Sequence, residues 1–428
     1  MFKRLSLLII IGVMLCISPI HADEESVLWV DVASPVGDIS PYVYGANYGL
    51  LNVIPFDLYP LAEVSGIRYL RFPGGRVGDT TDIQTFQLDQ FITLCRFIGA
   101  EPSISVRLEG GTPEKATAMV EYVNITKEYG VKYWSVGNEP NLFNDYTTEQ
   151  HNRDWRAIAE AMLAVDPSIT FVGPDISQFT GVDSYEGIAR AHEFLREFLR
   201  NNGDMIDIVS VHRYPFPQNN QRATIETLRQ DIYTWDDILT NLRQVVLDET
   251  GENLPIAFTE VNSDWSANVG TEATPDSFFN AIWWSAILTK LVNAEVSIVS
   301  YFNMQTSDQL GGFGLFSRYH VRPTYYVYQL FQQMGTTRLN SGTDTPRDVL
   351  ITASQRDDGA IAIIITNVSD NPLTRPLTLA NSEANLADGD YWLFDSTHNA
   401  EQLSWADAVQ NGVVTLPPQS ITLLIIHP

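Results

Sequence analysis

From about residue 40 to residue 335 the chain alternates short, apolar, β-rich runs with stretches of helical spacing. The runs are Tyr42–Tyr48, Ile67–Pro73, Pro102–Leu108, Tyr133–Glu139, Ile169–Asp175, Ile206–Tyr214, Pro255–Val261 and Val296–Asn303. The helix-like stretches are Phe56–Val64, Ile83–Ile98, Pro113–Tyr129, Glu149–Val165, Tyr185–Asn201, Thr224–Glu249, Pro275–Val292 and Pro323–Met334. Strands joined through helices run parallel, and a parallel sheet is covered on both faces, so its strands read as nearly continuous apolar runs. Eight such units predict a closed (β/α)8 barrel, a TIM barrel, over residues 39–337. An open doubly wound sheet, which usually has fewer units, is the alternative.

Beyond residue 338 the rhythm changes. Val349–Ser354, Ala360–Asn367, Leu373–Leu379, Asp390–Phe394 and Ser420–Ile426 are short β-rich runs, separated by turn signals such as Asp358-Gly359 and Asn411-Gly412. They predict an antiparallel β-sandwich over 338–428. Val27–Val32, within residues 23–38, has no barrel partner and is expected to join that sandwich as an N-terminal strand.

Residues 1–22 read as a signal peptide. Lys3 and Arg4 precede the mostly apolar run Leu5–Ile20, and Ala22 stands before Asp23. That run is too short to span a bilayer, and no later stretch is long enough, so a secreted or periplasmic protein with no membrane partner after signal removal is expected. Loss of the leader takes Cys16 with it. Cys95 then has no partner for a disulfide, and its amphipathic setting reads as a buried, inert thiol. The chain has 26 Lys+Arg against 52 Asp+Glu, a net charge of -26. Such a surface repels polyanions, which argues against nucleic acid as a partner.

In a (β/α)8 barrel the chemistry sits at the C-terminal ends of the strands. The polar residues ending the runs include Asn47-Tyr48, Arg71, Asn138-Glu139, Asp175, His212 with Tyr214, Glu260 with Asn262, and Asn303. Glu139 ends the fourth run and Glu260 the seventh, on opposing sides of the mouth. Two carboxylates across one cleft are what glycoside hydrolysis requires: one protonates the leaving oxygen, the other attacks the anomeric carbon or activates water. Arg71 is placed to pair with Glu260 and keep it ionised, with Tyr214 donating a hydrogen bond. His212 would contact sugar hydroxyls or orient Glu139. Trp265 and Tyr48 are candidate stacking platforms, whereas Trp283 and Trp284 lie in a helical stretch and read as core. No metal-binding, phosphate-cradling or nucleophile-elbow motif is present, so neither metal nor cofactor is expected.

Several of these segments carry a resemblance. Tyr133-Trp134-Ser135-Val136-Gly137-Asn138-Glu139-Pro140 resembles the Asn-Glu-Pro signature of retaining glycosidases of clan A. Phe258-Thr259-Glu260-Val261-Asn262 resembles the clan's strand-seven segment, especially the Thr-Glu-x-Asn form of glycoside hydrolase family 39. Leu70-Arg71-Phe72-Pro73-Gly74-Gly75 and the stretch Cys95–Asn124 are similar to family 51, Val209–Tyr214 carries a His-x-Tyr shared by several of these families, and family 79 is also akin. The resemblance implies Glu139 as acid/base, Glu260 as nucleophile and Asn138 as the residue that binds the sugar 2-hydroxyl; Arg71, His212, Tyr214, Tyr48, Asn47, Trp265 and Tyr301 are read from their positions as further candidates for binding substrate. Two departures concern the sugar subsite. Thr259 and Val261 flank Glu260 where family 51 usually has Asp and Trp, and Tyr301-Phe302-Asn303 replaces the Trp that ends strand eight in many members. The implied function is a retaining hydrolase of poly- or oligosaccharides, arabinofuranosidase- or xylosidase-like. A β-glucuronidase, an endo-β-glucanase and a non-catalytic carbohydrate-binding barrel are the alternatives. The particular sugar, exo or endo action and the oligomeric state are left open.

Overall fold

The computed structural model describes residues 26–216, 223–266, 269–308, 311–382 and 386–428; the leader-like residues 1–22, Cys16 among them, lie outside these. The first strand, β1 (Leu28–Asp38), stands apart from the barrel. The next eight, β2 (Gly45–Asn47), β3 (Tyr69–Phe72), β4 (Glu101–Val106), β5 (Tyr133–Val136), β6 (Thr170–Ile176), β7 (Ile208–Arg213), β8 (Ile256–Val261) and β9 (Ile298–Tyr301), close a parallel barrel in chain order. β2 completes the ring by pairing with both β3 and β9. The connecting helices fall where the helical spacing predicts them, for example Thr85–Ile98, Thr148–Val165, Glu186–Asn202 and Ile225–Thr250.

Two-residue periodicity sorts each strand into an inner and an outer row. The inner row starts with Tyr69, Tyr133, Val172, Ile208, Ala257 and Ile298, which pack together as a floor over which Tyr42 closes. The Tyr69 and Tyr133 rings meet edge-on with centroids 5.8 Å apart. Two residues further along β3, β5, β7, β8 and β9 come Arg71, Ser135, Ser210, Thr259 and Ser300, all buried. Small hydroxyl residues at this level leave room for one long arginine in the barrel's middle. The outer row, including Leu70, Ile104, Trp134, Phe171, Val209 and Phe258, packs with the helices in the main core.

After the barrel, the last helix (Pro323–Phe331) leads into β10 (Thr337–Thr343). There follow β11 (Val349–Gln355), β12 (Ile361–Asn367), β13 (Leu373–Ala380), β14 (Asp390–Phe394), β15 (Asn399–Leu403), β16 (Val409–Gln410), β17 (Val413–Leu416) and β18 (Ser420–Ile426). With β1 they form a ten-stranded sheet, ordered β15-β14-β18-β12-β11-β10-β1-β13-β17-β16. β1 is the joining strand that the sequence predicts, antiparallel to β10 and parallel to β13. That single parallel pairing makes the sheet mixed.

The sheet curls around its own core, and its other face lies on the barrel. In β12, Ile361, Ile363 and Ile365 fill the curl. Ala362 and Ile364 belong instead to the barrel's core. Burial on both faces explains why β12 and β18 read as unbroken apolar runs. The helix Phe278–Asn293 is sandwiched between the two bodies and buried nearly all round, Trp283 and Trp284 included, as an apolar helix without a polar face must be. Ser285 and Thr366 share a hydrogen bond across this junction, 2.7 Å long. None of the helices among the described residues is long and apolar enough to cross a membrane.

Candidate active site

The mouth of the barrel is organised around Arg71, whose side chain is fully buried. Its Nη1 donates to Asn47 Oδ1 at 3.0 Å and Glu260 Oε1 at 3.1 Å; Nη2 donates to Asn138 Oδ1 at 2.8 Å and Asp175 Oδ2 at 3.0 Å. One guanidinium thus ties together the ends of β2, β5, β6 and β8. A lone buried cation is costly, and two carboxylates with two amide oxygens offset that cost. Asp175 is clamped further by the hydroxyls of Ser210 and Thr259. Burial alone would raise its pKa, but Arg71 leads a set of charges and hydroxyls that hold it below the ordinary carboxyl value.

Glu260 stands on β8 with both oxygens occupied. Oε1 also accepts from the Gly75 N–H at 3.0 Å, and Oε2 accepts from the Tyr214 hydroxyl at 2.9 Å. His212 Nδ1 lies 3.6 Å from Oε2. Burial pushes the Glu260 pKa up and the Glu139 charge adds to it; His212, Arg71 and Tyr214 pull it down without cancelling the rise. Arg71 pairs with Glu260 and lowers its pKa as expected, but desolvation outweighs the cation, because this carboxylate is almost wholly cut off from water.

Glu139 is reached by a different route. β5 stops at Val136, and Gly137 turns the chain with φ 84°, where a Cβ would stand 2.8 Å from the Leu108 side chain. The Asn138 N–H donates to Asp79 Oδ2 at 2.7 Å, and the Glu139 N–H to the Asp175 carbonyl at 2.9 Å. Glu139 itself takes φ 50°, and Pro140 begins a single helical turn behind it. Held this way, its side chain is 21% exposed, against 5% for Glu260. Among the described residues its side-chain partner is His212, with Nδ1 3.0 Å from Oε1. One oxygen of each glutamate and a ring nitrogen of His212 all lie within 4.8 Å of one another. Burial would lower the His212 pKa, but the charges of Glu260 and Glu139 overcome it and the net direction is upward. Irregular strand registers between β6 and β7, β7 and β8, and β8 and β9 all fall at this end, where bulges re-aim side chains.

A cavity of about 1050 Å³ opens over the two glutamates, walled by Gly75, Tyr214, Trp265 and Phe302 on the Glu260 side. Trp265 is 42% exposed, with its Nε1 donating to the Phe216 carbonyl at 3.1 Å. Asn138 is buried, and its Nδ2 has no partner among the described residues. Other expected substrate contacts are corrected. Tyr301 is fully buried in the outer row, its ring centroid 4.9 Å from that of Trp284 and its hydroxyl 3.0 Å from Asn280 Nδ2. The next residue, Phe302, is the one that reaches the cavity. Tyr48 packs on Phe72 and Phe91 and spends its hydroxyl on the Asn52 carbonyl, 2.8 Å away. Asn47, Arg71 and His212 have no exposed surface: Arg71 and His212 face the carboxylates, while Asn47 accepts from Arg71 and donates to the Thr259 and Ser300 carbonyls.

Asp79 is a residue that strand-end reasoning missed. It is buried in the short helix Val77–Thr80 and accepts from the backbone N–H groups of Leu108 (2.7 Å), Glu109 (3.2 Å) and Asn138. It therefore braces the ends of β4 and β5 together. Nothing in strand periodicity marks it, since its helix is only four residues long.

Residues 119–375, more than half of the chain and spanning both glutamates, match the profile of glycosyl hydrolases family 39. The chain belongs to glycosyl hydrolases family 39. This family 39 chain is 30% identical to α-L-arabinofuranosidase C of Emericella nidulans over 110 residues, 22% of each protein. It is 25% identical to a β-xylosidase of Geobacillus stearothermophilus over 261 residues, 56% of this chain and 47% of that enzyme. The alignments thus span less than half of these curated relatives. Among solved structures, the α-L-arabinofuranosidase of Thermotoga maritima superposes with a TM-score of 0.73 at 17% identity, over 94% of this chain and 100% of the other. That likeness is one of fold, a barrel with an attached β-domain.

Proposed function

We propose that this chain is a retaining O-glycosyl hydrolase, with Glu260 as nucleophile and Glu139 as acid/base. The observation that carries the reading is the pair of glutamate oxygens within 4.8 Å across the barrel mouth. Retaining enzymes hold their carboxyl groups about 5–5.5 Å apart, whereas inverting ones need roughly 6.5–9.5 Å to seat a water between them. Each glutamate also has surroundings that suit its role. Arg71, Gly75 and Tyr214 hold both oxygens of Glu260 in place, which favours attack along one line. Glu139 is more open, 21% exposed to the cavity from which its proton is exchanged, with His212 Nδ1 3.0 Å from Oε1. In the first step Glu260 bonds to the anomeric carbon while Glu139 gives its proton to the departing oxygen. In the second, Glu139 takes a proton from water, which displaces Glu260.

The relatives named above support an arabinofuranosidase- or xylosidase-like substrate, a pentose glycoside. Residues 1–22 support export, since they combine a basic start, a short apolar run and a small residue before Asp23. The test is a panel of aryl α-L-arabinofuranosides, β-D-xylosides and β-D-glucuronides, with the product anomer followed by NMR. Turnover of a pentoside with retained configuration is expected; an inverted first product would contradict the mechanism, and uronide-only turnover would contradict the substrate class.

A further inference from the structure

The cavity is much larger than the two glutamates need. Its volume of about 1050 Å³ is just above the roughly 300–1,000 Å³ that enclose a drug-sized ligand, room for several sugar rings. The space is also lopsided. Past Glu139 it runs along residues 141–148 and on to the start of the helix Glu186–Asn202. This arm leads away from Glu139 and not from Glu260.

We propose that the arm binds the leaving-group side of a neutral oligosaccharide, so that the enzyme acts on chains in preference to disaccharides. The inference rests on the acid/base role given to Glu139, because that residue faces the departing oxygen and whatever lies beyond it is leaving group. Two apolar side chains stand on the arm with unusual exposure, Leu142 at 51% and Tyr185 at 37%. An exposed aromatic beside a cleft offers the flat apolar face against which a sugar ring packs, with its hydroxyl end still wet. The helix under Tyr185 is cut back to make room: Gly187 lines the cavity, and a Cβ there would meet the Tyr185 ring at 2.9 Å. Glycine therefore sets where that ring lies. Asp145 and Glu193 on the same walls offset Arg190, so the arm carries no net positive charge to select an anionic chain.

The test compares kcat/KM on xylo- and arabino-oligosaccharides of two to six residues with that on the aryl glycoside of the same sugar. The wild-type protein is expected to gain at least tenfold between the disaccharide and the longest chain; equal values across the series would overturn the proposal. Tyr185→Ala removes the platform and Gly187→Ala displaces it, so each should reduce that length preference several-fold. Two folded variants that keep the wild-type preference would also overturn it. Calorimetric binding of the same oligosaccharides to the intact protein gives a readout independent of turnover. If no glycoside is cleaved but affinity still rises with chain length, the arm stands and the proposed hydrolase reading fails; length-independent binding overturns the arm.

Discussion

The ends of β5 and β8 carry the same side chain in opposite settings. At β8, Glu260 is locked: its neighbours supply a guanidinium, a backbone amide and a phenol, and water hardly reaches it. At β5, Glu139 is posed by its backbone, through Gly137, Asp79 and the Asp175 carbonyl, while its carboxyl group stays partly open beside one histidine. Side-chain clamping suits a group that must strike one carbon. Backbone posing with an open carboxyl suits a group that must lose and regain a proton, since proton exchange needs contact with solvent or substrate. Chemically identical residues are thus divided by what surrounds them.

The comparison breaks most visibly at Glu260. Glu260→Ala is expected to lower kcat by about 10⁴-fold or more on every substrate, since no covalent intermediate can form. A variant within a hundredfold of wild type would remove Glu260 from the nucleophile's role. Next comes the shared clamp. Arg71→Met leaves Asp175 and Glu260 buried without their cation, a change of the kind that costs about 3–5 kcal/mol. Denaturant unfolding measures it, and a loss under about 1 kcal/mol would show that the clamp is not needed for the fold.

At the other glutamate, Glu139→Ala is expected to cost about 10²–10⁴-fold on substrates with poor leaving groups. Activated aryl glycosides need little protonation, so the first step should survive on them. Equal loss on both classes in pre-steady-state kinetics would contradict an acid's role.

The smallest effect sharpens the electrostatics. A hydrogen bond to the carboxylate form lowers a carboxyl pKa, so Tyr214→Phe should raise the Glu260 pKa further above its ordinary value. The nucleophile must be ionised, and activity falls as pH drops through that pKa. The acid limb of kcat/KM should therefore move to higher pH in the variant, with up to about tenfold loss below the shifted limb, one pKa unit being a factor of ten. An unmoved limb would mean that another group sets it.

Much of this site is legible in the sequence, because a strand's end tells which residues reach a barrel's mouth. Glu139 and Glu260 follow short apolar runs, and Arg71 sits two residues beyond the floor residue Tyr69. Facing was harder to read. Ile298 belongs to the floor, so by two-residue alternation Ser300 points inward and Tyr301 outward. Without the floor residue either parity fits the run, which is how Tyr301 comes to stand among the substrate-binding candidates. Tyr48 likewise follows the inward Asn47 and turns outward onto Phe72 and Phe91. β10 carries no strand signal in the sequence because Thr337–Thr343 has Leu339 as its one buried residue and no apolar alternation. Its strand conformation comes from pairing with β1 and β11.

The central claim is that the two glutamates divide the labour as nucleophile and acid/base, and azide tests it most directly. Azide can attack a glycosyl-enzyme without base assistance, and it can also fill the space of a missing nucleophile. The measurement is the anomeric configuration, by NMR, of the glycosyl azide formed from an activated aryl glycoside by each alanine variant. The account predicts that azide rescues Glu139→Ala to give a product of retained configuration, and that any azide product of Glu260→Ala is inverted. An inverted azide from Glu139→Ala would show that the two roles are assigned the wrong way round.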